Sequence, residues 1–121
     1  MAFKVVRSSD SDRDLGLIFD HLIESYIALG DPLPEAFDRA VARIHAIEAD
    51  MEALALAPYQ GTLLPAVAPR LRHVTKNQAI FYFDVDDERQ LVRVLAVFFG
   101  GQDHRRHMLT RLGRTGHAPK G

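Results

Sequence analysis

The chain has 121 residues, with 15 Lys+Arg against 16 Asp+Glu and a formal net charge of -1, a balance that argues against a strongly basic nucleic-acid binder. At 47% hydrophobic and 26% charged it is an ordinary globular composition of a length that supports one core, and the absence of cysteine excludes a disulfide framework, a thiolate nucleophile and a Cys-ligated zinc. The N-terminus lacks the apolar stretch of a signal peptide and no run is long enough for a membrane span, so a cytoplasmic protein with no membrane contact is expected.

Phe3 to Arg7, short and β-branched, predicts a strand. Ser8, Ser9 and Asp10 offer N-cap oxygens, with Asp12 and Asp14 near the positive helix end. Leu15, Ile18, Phe19, Leu22, Tyr26 and Leu29 follow at helical spacing. Gly30 ends that helix, and Asp31-Pro32-Leu33-Pro34 is a stiff connector. Phe37, Ala40, Val41, Ile44, Ile47, Met51 and Leu54 predict a second amphipathic helix to about Leu56, and so short a link makes the two an antiparallel hairpin. Residues 57–69 hold three prolines and a glycine and read as a loop.

After that loop the period changes. Leu71–Thr75, Gln78–Val85 and Leu91–Phe99 predict three antiparallel strands joined by tight turns. In the last, strict alternation sends Val92, Val94, Ala96 and Phe98 one way and Arg93, Leu95, Val97 and Phe99 the other. Both sets are mostly apolar, so the strand is buried on both faces and central. Gly100-Gly101 ends it, Asp103 caps a short basic helix from His104 to about Leu112, and residues 113–121 form a flexible tail. The expected fold is α+β: an N-terminal strand, an antiparallel helical hairpin packed on a mainly antiparallel four-stranded sheet, and a short C-terminal helix, with 1–112 as a single domain.

The near-neutral total is a cancellation. Residues 1–69 carry 5 basic and 11 acidic groups, a net of -6, whereas residues 70–121 carry 10 and 5, a net of +5, with four of the six histidines. Such asymmetry marks either a polyanion- or acid-facing surface or an acidic layer laid over a basic one.

Arg70, Arg72 and Arg93 are candidates for one basic strip, 70 and 72 sharing a face by period two; the alternative is solvated surface. Their planar forks suit carboxylate or phosphate. His104 and His107, at i and i+3 beside Asp103, lack a further ligand spaced for zinc, so no metal is expected. His104 and His73 have the intrinsic pKa for acid–base work, against a plain reading as exposed histidines. Tyr82 either sets a hydroxyl by a phosphate or fills the core, Tyr59 is equally open, and Phe98, Phe99, Leu109 and Leu112 read as core.

The layout, together with LRHVTKNQAIFYFDVDD, the strand LVRVLAVFFGG and the ending QDHRRHMLTRL, resembles the RelE/ParE superfamily of toxins from type II toxin–antitoxin operons. The resemblance covers about Phe3 to Leu112 and is strongest from Arg70 to Leu112. It implies a toxin with no cofactor, neutralised by a small cognate antitoxin of ribbon-helix-helix, ParD-like type, with operator DNA contacted only through that antitoxin. It also implies an apolar groove for the antitoxin, with Tyr82, Phe98, Phe99 and Leu109 as candidates, and a target-binding surface with Arg70, Arg72, Arg93, His104, Arg105 and Arg106 as candidates. One fold in this superfamily hosts both ribosome-dependent mRNA cleavage and poisoning of DNA gyrase. The cleaving branch, as the resemblance implies, sets cations at the start of the third strand and after the fourth, where this chain has Gln78-Ala79 and Gly100-Gly101-Gln102. Transesterification of RNA needs a base, an acid and charge stabilisation of the phosphorane, and neither Gln supplies positive charge. The resemblance is therefore closer to the ParE side. The alternatives are a RelE-like endonuclease using Arg70, Arg72, Lys76, Arg93 and His104, and a non-toxic corepressor.

Overall fold

A computed structural model of the chain describes residues 3–100 and 108–112. In chain order it contains β1 (Lys4–Arg7), α1 (Ser9–Ala28), α2 (Leu33–Glu52), a 3-10 turn (Ala53–Leu56), β2 (Thr62–Leu63), β3 (Arg72–Lys76), β4 (Ala79–Asp86) and β5 (Leu91–Phe99), and residues 108–112 are helical. The expected α+β class is present, and all four expected strands form. The Asp103 cap, the helix start at His104 and the tail 113–121 lie outside the described residues. No helix among the described residues is long and apolar enough to cross a membrane.

Ser8 sets the start of α1: its Oγ accepts from the Ser11 amide at 3.0 Å, while Ser11 Oγ donates to the Ser8 carbonyl at 2.8 Å, a reciprocal cap that satisfies otherwise orphaned end groups. Leu15, Ile18 and Leu22 from α1 and Ala40, Ile47 and Met51 from α2 are buried against the sheet. Leu29, expected on the apolar face, is instead the C-cap residue and 77% exposed, because the helix unwinds before its side chain can turn inward. α2 starts at Leu33 rather than near Phe37, since Pro34 sits in its first turn, where its missing N–H costs nothing.

The sheet order is β1-β5-β4-β3-β2. β1 pairs parallel with β5 at one edge, and the other pairings are antiparallel. Asn77 and Gln78 join β3 to β4 with φ of 51° and 72°, the left-handed pair of a tight hairpin turn. The fifth strand, Thr62–Leu63, lies in the stretch expected to be loop; two residues are too few to show a period. Its approach depends on Gly61, with φ +82° and a position where an added Cβ would sit 2.3 Å from the His73 carbonyl oxygen.

Strict alternation in β5 does not hold. Tyr82 pairs with Ala96 but Phe83 with Val94, so Leu95 is an extra residue, a β-bulge. The bulge moves every later side chain to the other face. Val92, Val94 and Val97 therefore join Phe81, Phe83 and Val85 beneath the hairpin, with Phe99 packed against them, while Ala96 and Phe98 join Ile80 and Tyr82 on the far face. Phe98 and Phe99 thus serve different cores.

The bulge sits where β1 ends. Beyond Arg7 the β1 side of β5 has no strand partner, and Ser8 and Asp14 replace it: the Ser8 amide donates to the Val94 carbonyl at 3.1 Å, Ser8 Oγ to the Leu95 carbonyl at 3.3 Å, and the Val97 amide to Asp14 Oδ2 at 2.9 Å. Asp14 is buried, and Arg111 closes a two-pronged ion pair on it, with both contacts at 2.9 Å. Hydrogen bonding to Asp14 holds the Arg111 pKa above its ordinary value, against the opposing effect of burial. Removing one partner of such a pair strands the other. Asp14→Ala is expected to destabilise the fold by about 3 kcal/mol, read as a lower urea midpoint at unchanged slope; a loss under about 1 kcal/mol would show that the pair acts as a surface ion pair.

Candidate interaction face

The hairpin covers one face of the sheet, so the far face carries the candidate site. Strand register places His73, Thr75, Ile80, Tyr82, Asp84, Arg93, Ala96 and Phe98 on it, since directly paired residues point the same way. Its upper half is apolar and covered by Leu64, Val67 and Ala68, by buried Leu71, and by Met108 and Leu112 from the C-terminal helical turn. Tyr82 is fully buried there, its ring stacked on His73 at 5.6 Å and edge-on to Phe98 at 5.9 Å. The Arg111 guanidinium lies 5.5 Å from the Phe98 ring centroid and donates to the Leu95 carbonyl at 3.3 Å, fastening this cover to the bulge. Leu109, one residue after buried Met108, points outward and is half exposed.

The lower half of the far face is polar. Arg93 Nε donates to Asp84 Oδ1 at 2.8 Å, and that hydrogen bond, followed by the attraction of the same carboxylate, raises the Arg93 pKa. The guanidinium is therefore already neutralised.

Arg70, Arg72 and Arg93 do not form one strip. Arg72 pairs with Phe83 and so lies on the hairpin side of the sheet. There its Nη1 donates to the Tyr59 carbonyl at 2.7 Å, and its guanidinium sits 5.6 Å from the Tyr59 ring centroid. Arg70 lies outside any strand with φ 66°, which breaks the period-two relation to Arg72. Lys76 pairs with Ala79 and also lies on the hairpin side. Three of the four sheet-region cations thus fall away from Arg93. His104, Arg105, Arg106 and Gln102 lie outside the described residues, and among the described residues no group of three acidic or histidine side chains is arranged to hold a metal.

Several residues take structural roles that the sequence did not show. Tyr59 bridges three elements: its hydroxyl donates to Asp87 Oδ1, its ring meets Phe3 edge-on at 6.1 Å, and its backbone receives Arg72. The bond to Asp87 raises the Tyr59 pKa, so this tether is complete below the ordinary tyrosine value and is lost as pH rises through the higher folded one. Arg43 of α2 donates to the Asn77 carbonyl at 2.6 Å and lies 5.3 Å from the Phe99 ring, docking the β3–β4 turn onto the hairpin. The Asp84–Arg93 pair was accessible in principle, because counting back from the 87–90 turn sets 84 opposite 93.

If Asp84 neutralises Arg93, then Asp84→Asn leaves a far-face cation that a polyanion can use. Its elution from heparin is expected at higher salt than the parent chain, with a stability cost under about 1 kcal/mol, and Arg93→Ala in the same chain should remove the gain. Unchanged elution of Asp84→Asn would contradict the neutralisation.

No family model and no curated protein matches the sequence. Solved structures do match the fold. A chain of the chromosomal ParDE TA system from P. aeruginosa aligns at a TM-score of 0.61 with 19% identity, over 82% of this chain and 97% of that one. A chain of the RelBE2 toxin-antitoxin complex from Mycobacterium tuberculosis aligns at a TM-score of 0.55 with 14% identity, over 82% and 99%. The chain therefore has the RelE/ParE fold that its sequence resemblance implied.

Proposed function

We propose that this protein is the toxin of a type II toxin–antitoxin pair, ParE-like in action: it inhibits DNA gyrase by binding and is neutralised by a small cognate antitoxin. The observation that carries the choice of target is the dispersal of the sheet cations. Cleaving RNA needs positive charge gathered at the scissile phosphate. Here uncharged Gln78 stands in the turn just before β4, Arg72 and Lys76 lie on the hairpin side, and Arg93 is matched by Asp84. A protein that acts by occupying a partner needs no such convergence. Structural likeness to a chain of a ParDE system supports this side of the fold.

The antitoxin, in this proposal a ribbon-helix-helix protein, seats an apolar segment on the far face along Tyr82, Phe98 and Leu109, without the expected Phe99, which the bulge turns to the hairpin side of the sheet, and operator DNA is met only through it. Tyr82 and Phe98 serve as the floor of that site rather than its rim, since both are buried. The toxin domain spans 1–112, acts in the cytoplasm where gyrase works, and uses no cofactor or metal.

Likeness to a chain of RelBE2 favours a second reading, a ribosome-dependent mRNA endonuclease. One pair of assays separates the two. With purified gyrase, excess protein is expected to block supercoiling or trap a cleaved complex, and primer extension on translated message is expected to show no new 5′ ends. Normal supercoiling together with codon-positioned cuts would replace the first reading by the second. Normal supercoiling without cuts, and normal growth on expression without the antitoxin, would leave a non-toxic corepressor.

A further inference from the structure

The hairpin tip is the largest feature that this function leaves unused. Ile27, Leu29, Leu33 and Phe37 are 44%, 77%, 61% and 46% exposed, and they come together where α1 ends and α2 begins. Isolated exposed apolar residues are ordinary, but four large ones at one turn are not. Residues 24–38 also hold four acids, Glu24, Asp31, Glu35 and Asp38, and no Lys or Arg. Among the described residues, Asp31 is bound by Arg39 at 2.6 Å, while Glu24, Glu35 and Asp38 make no ion pair and stand exposed.

The tip is also stiff. Arg39 clasps Asp31 and lies 4.0 Å from the Tyr26 ring centroid, tying the connector to both helices. Phe37 meets Phe19 edge-on at 5.5 Å, and Pro32 and Pro34 fix the backbone between. A rigid, apolar and anionic projection is preorganised to dock, because little entropy is lost when it binds. Its complement is a cationic protein surface with an apolar centre.

We infer that the hairpin tip is the contact with the target, and that its occupant is the basic surface with which gyrase holds duplex DNA. The inference rests on gyrase being the target. Any protein that grips duplex DNA must present cations to its phosphates, so an anionic apolar tip fits that surface and competes with DNA for it. The far face of the sheet then remains for the antitoxin, on the opposite side of the domain's sheet.

The test is supercoiling inhibition by the full chain, with antitoxin binding measured in parallel. Glu35→Lys/Asp38→Lys, both exposed, and Leu33→Ser/Phe37→Ser are expected to raise the half-inhibitory concentration at least about tenfold, and added DNA should weaken the parent. Glu52→Lys, exposed at the far end of α2, should inhibit like the parent, and all variants should bind antitoxin as the parent does. Phe37 packs on Phe19, so the charge-reversal pair decides if the apolar variant fails to fold. Inhibition by the charge-reversal pair equal to the parent's would overturn the tip contact and leave gyrase as the target. No inhibition by the parent chain would remove the target and the tip contact together. Loss of antitoxin binding in the charge-reversal pair would assign the tip to the antitoxin instead and overturn the inference.

Discussion

Everything on the far face depends on one buried carboxylate. Asp14 stands where a continued β1 would have been, takes the Val97 amide at 2.9 Å, and receives both prongs of Arg111. It thereby joins the first helix, the bulged central strand and the C-terminal helical turn. Ser8 completes the same repair one turn earlier by donating to the Val94 and Leu95 carbonyls. A buried acid with these partners is satisfied on every side, and the half-buried Arg111 paired so closely is tolerated. Without the bulge, Phe98 would lie beneath the hairpin and Phe99 on the far face, and the second core around Tyr82 would lose its aromatic wall. With it, one nine-residue strand feeds two cores.

The same frugality governs the charges. The total of -1 conceals an acidic hairpin and a basic second half, yet three cations of that half are engaged within the fold. Arg93 meets Asp84, Arg111 meets Asp14, and Arg72 is turned onto the backbone of the 57–61 loop. Glu24, Glu35 and Asp38 of the hairpin tip face solvent. Exposed charge steers encounters, whereas paired charge holds structure. At the hairpin tip the available charge is thus negative, and it lies on the helices rather than on the sheet.

Most of the architecture was legible in the sequence because periodicity reports burial directly. The stripes of α1 and α2 and the dense strands β4 and β5 follow the rule that the apolar face is the buried face. Four things were hidden. The bulge at Leu95 leaves no mark, because Leu95 and its neighbours are apolar in either register and only the missing partner strand calls for the extra residue. Arg70 and Arg72 were placed by spacing alone, which cannot say which face of the sheet a strand turns toward the helices. Arg111 sits in a run of basic residues that suggests a solvated helix, and its partner is 97 positions away in sequence. The Tyr59 contacts were hidden for a related reason: loop residues carry no period, so their partners emerge only from the fold.

The proposed gyrase-binding toxin has a definite signature in cells. Thymidine and leucine incorporation, followed together from the moment the chain is expressed without antitoxin, measure DNA and protein synthesis on one clock. Inhibition of gyrase by binding predicts that thymidine incorporation collapses first, within about one round of replication, while leucine incorporation continues. Collapse of leucine incorporation first, with DNA synthesis still running, would contradict it.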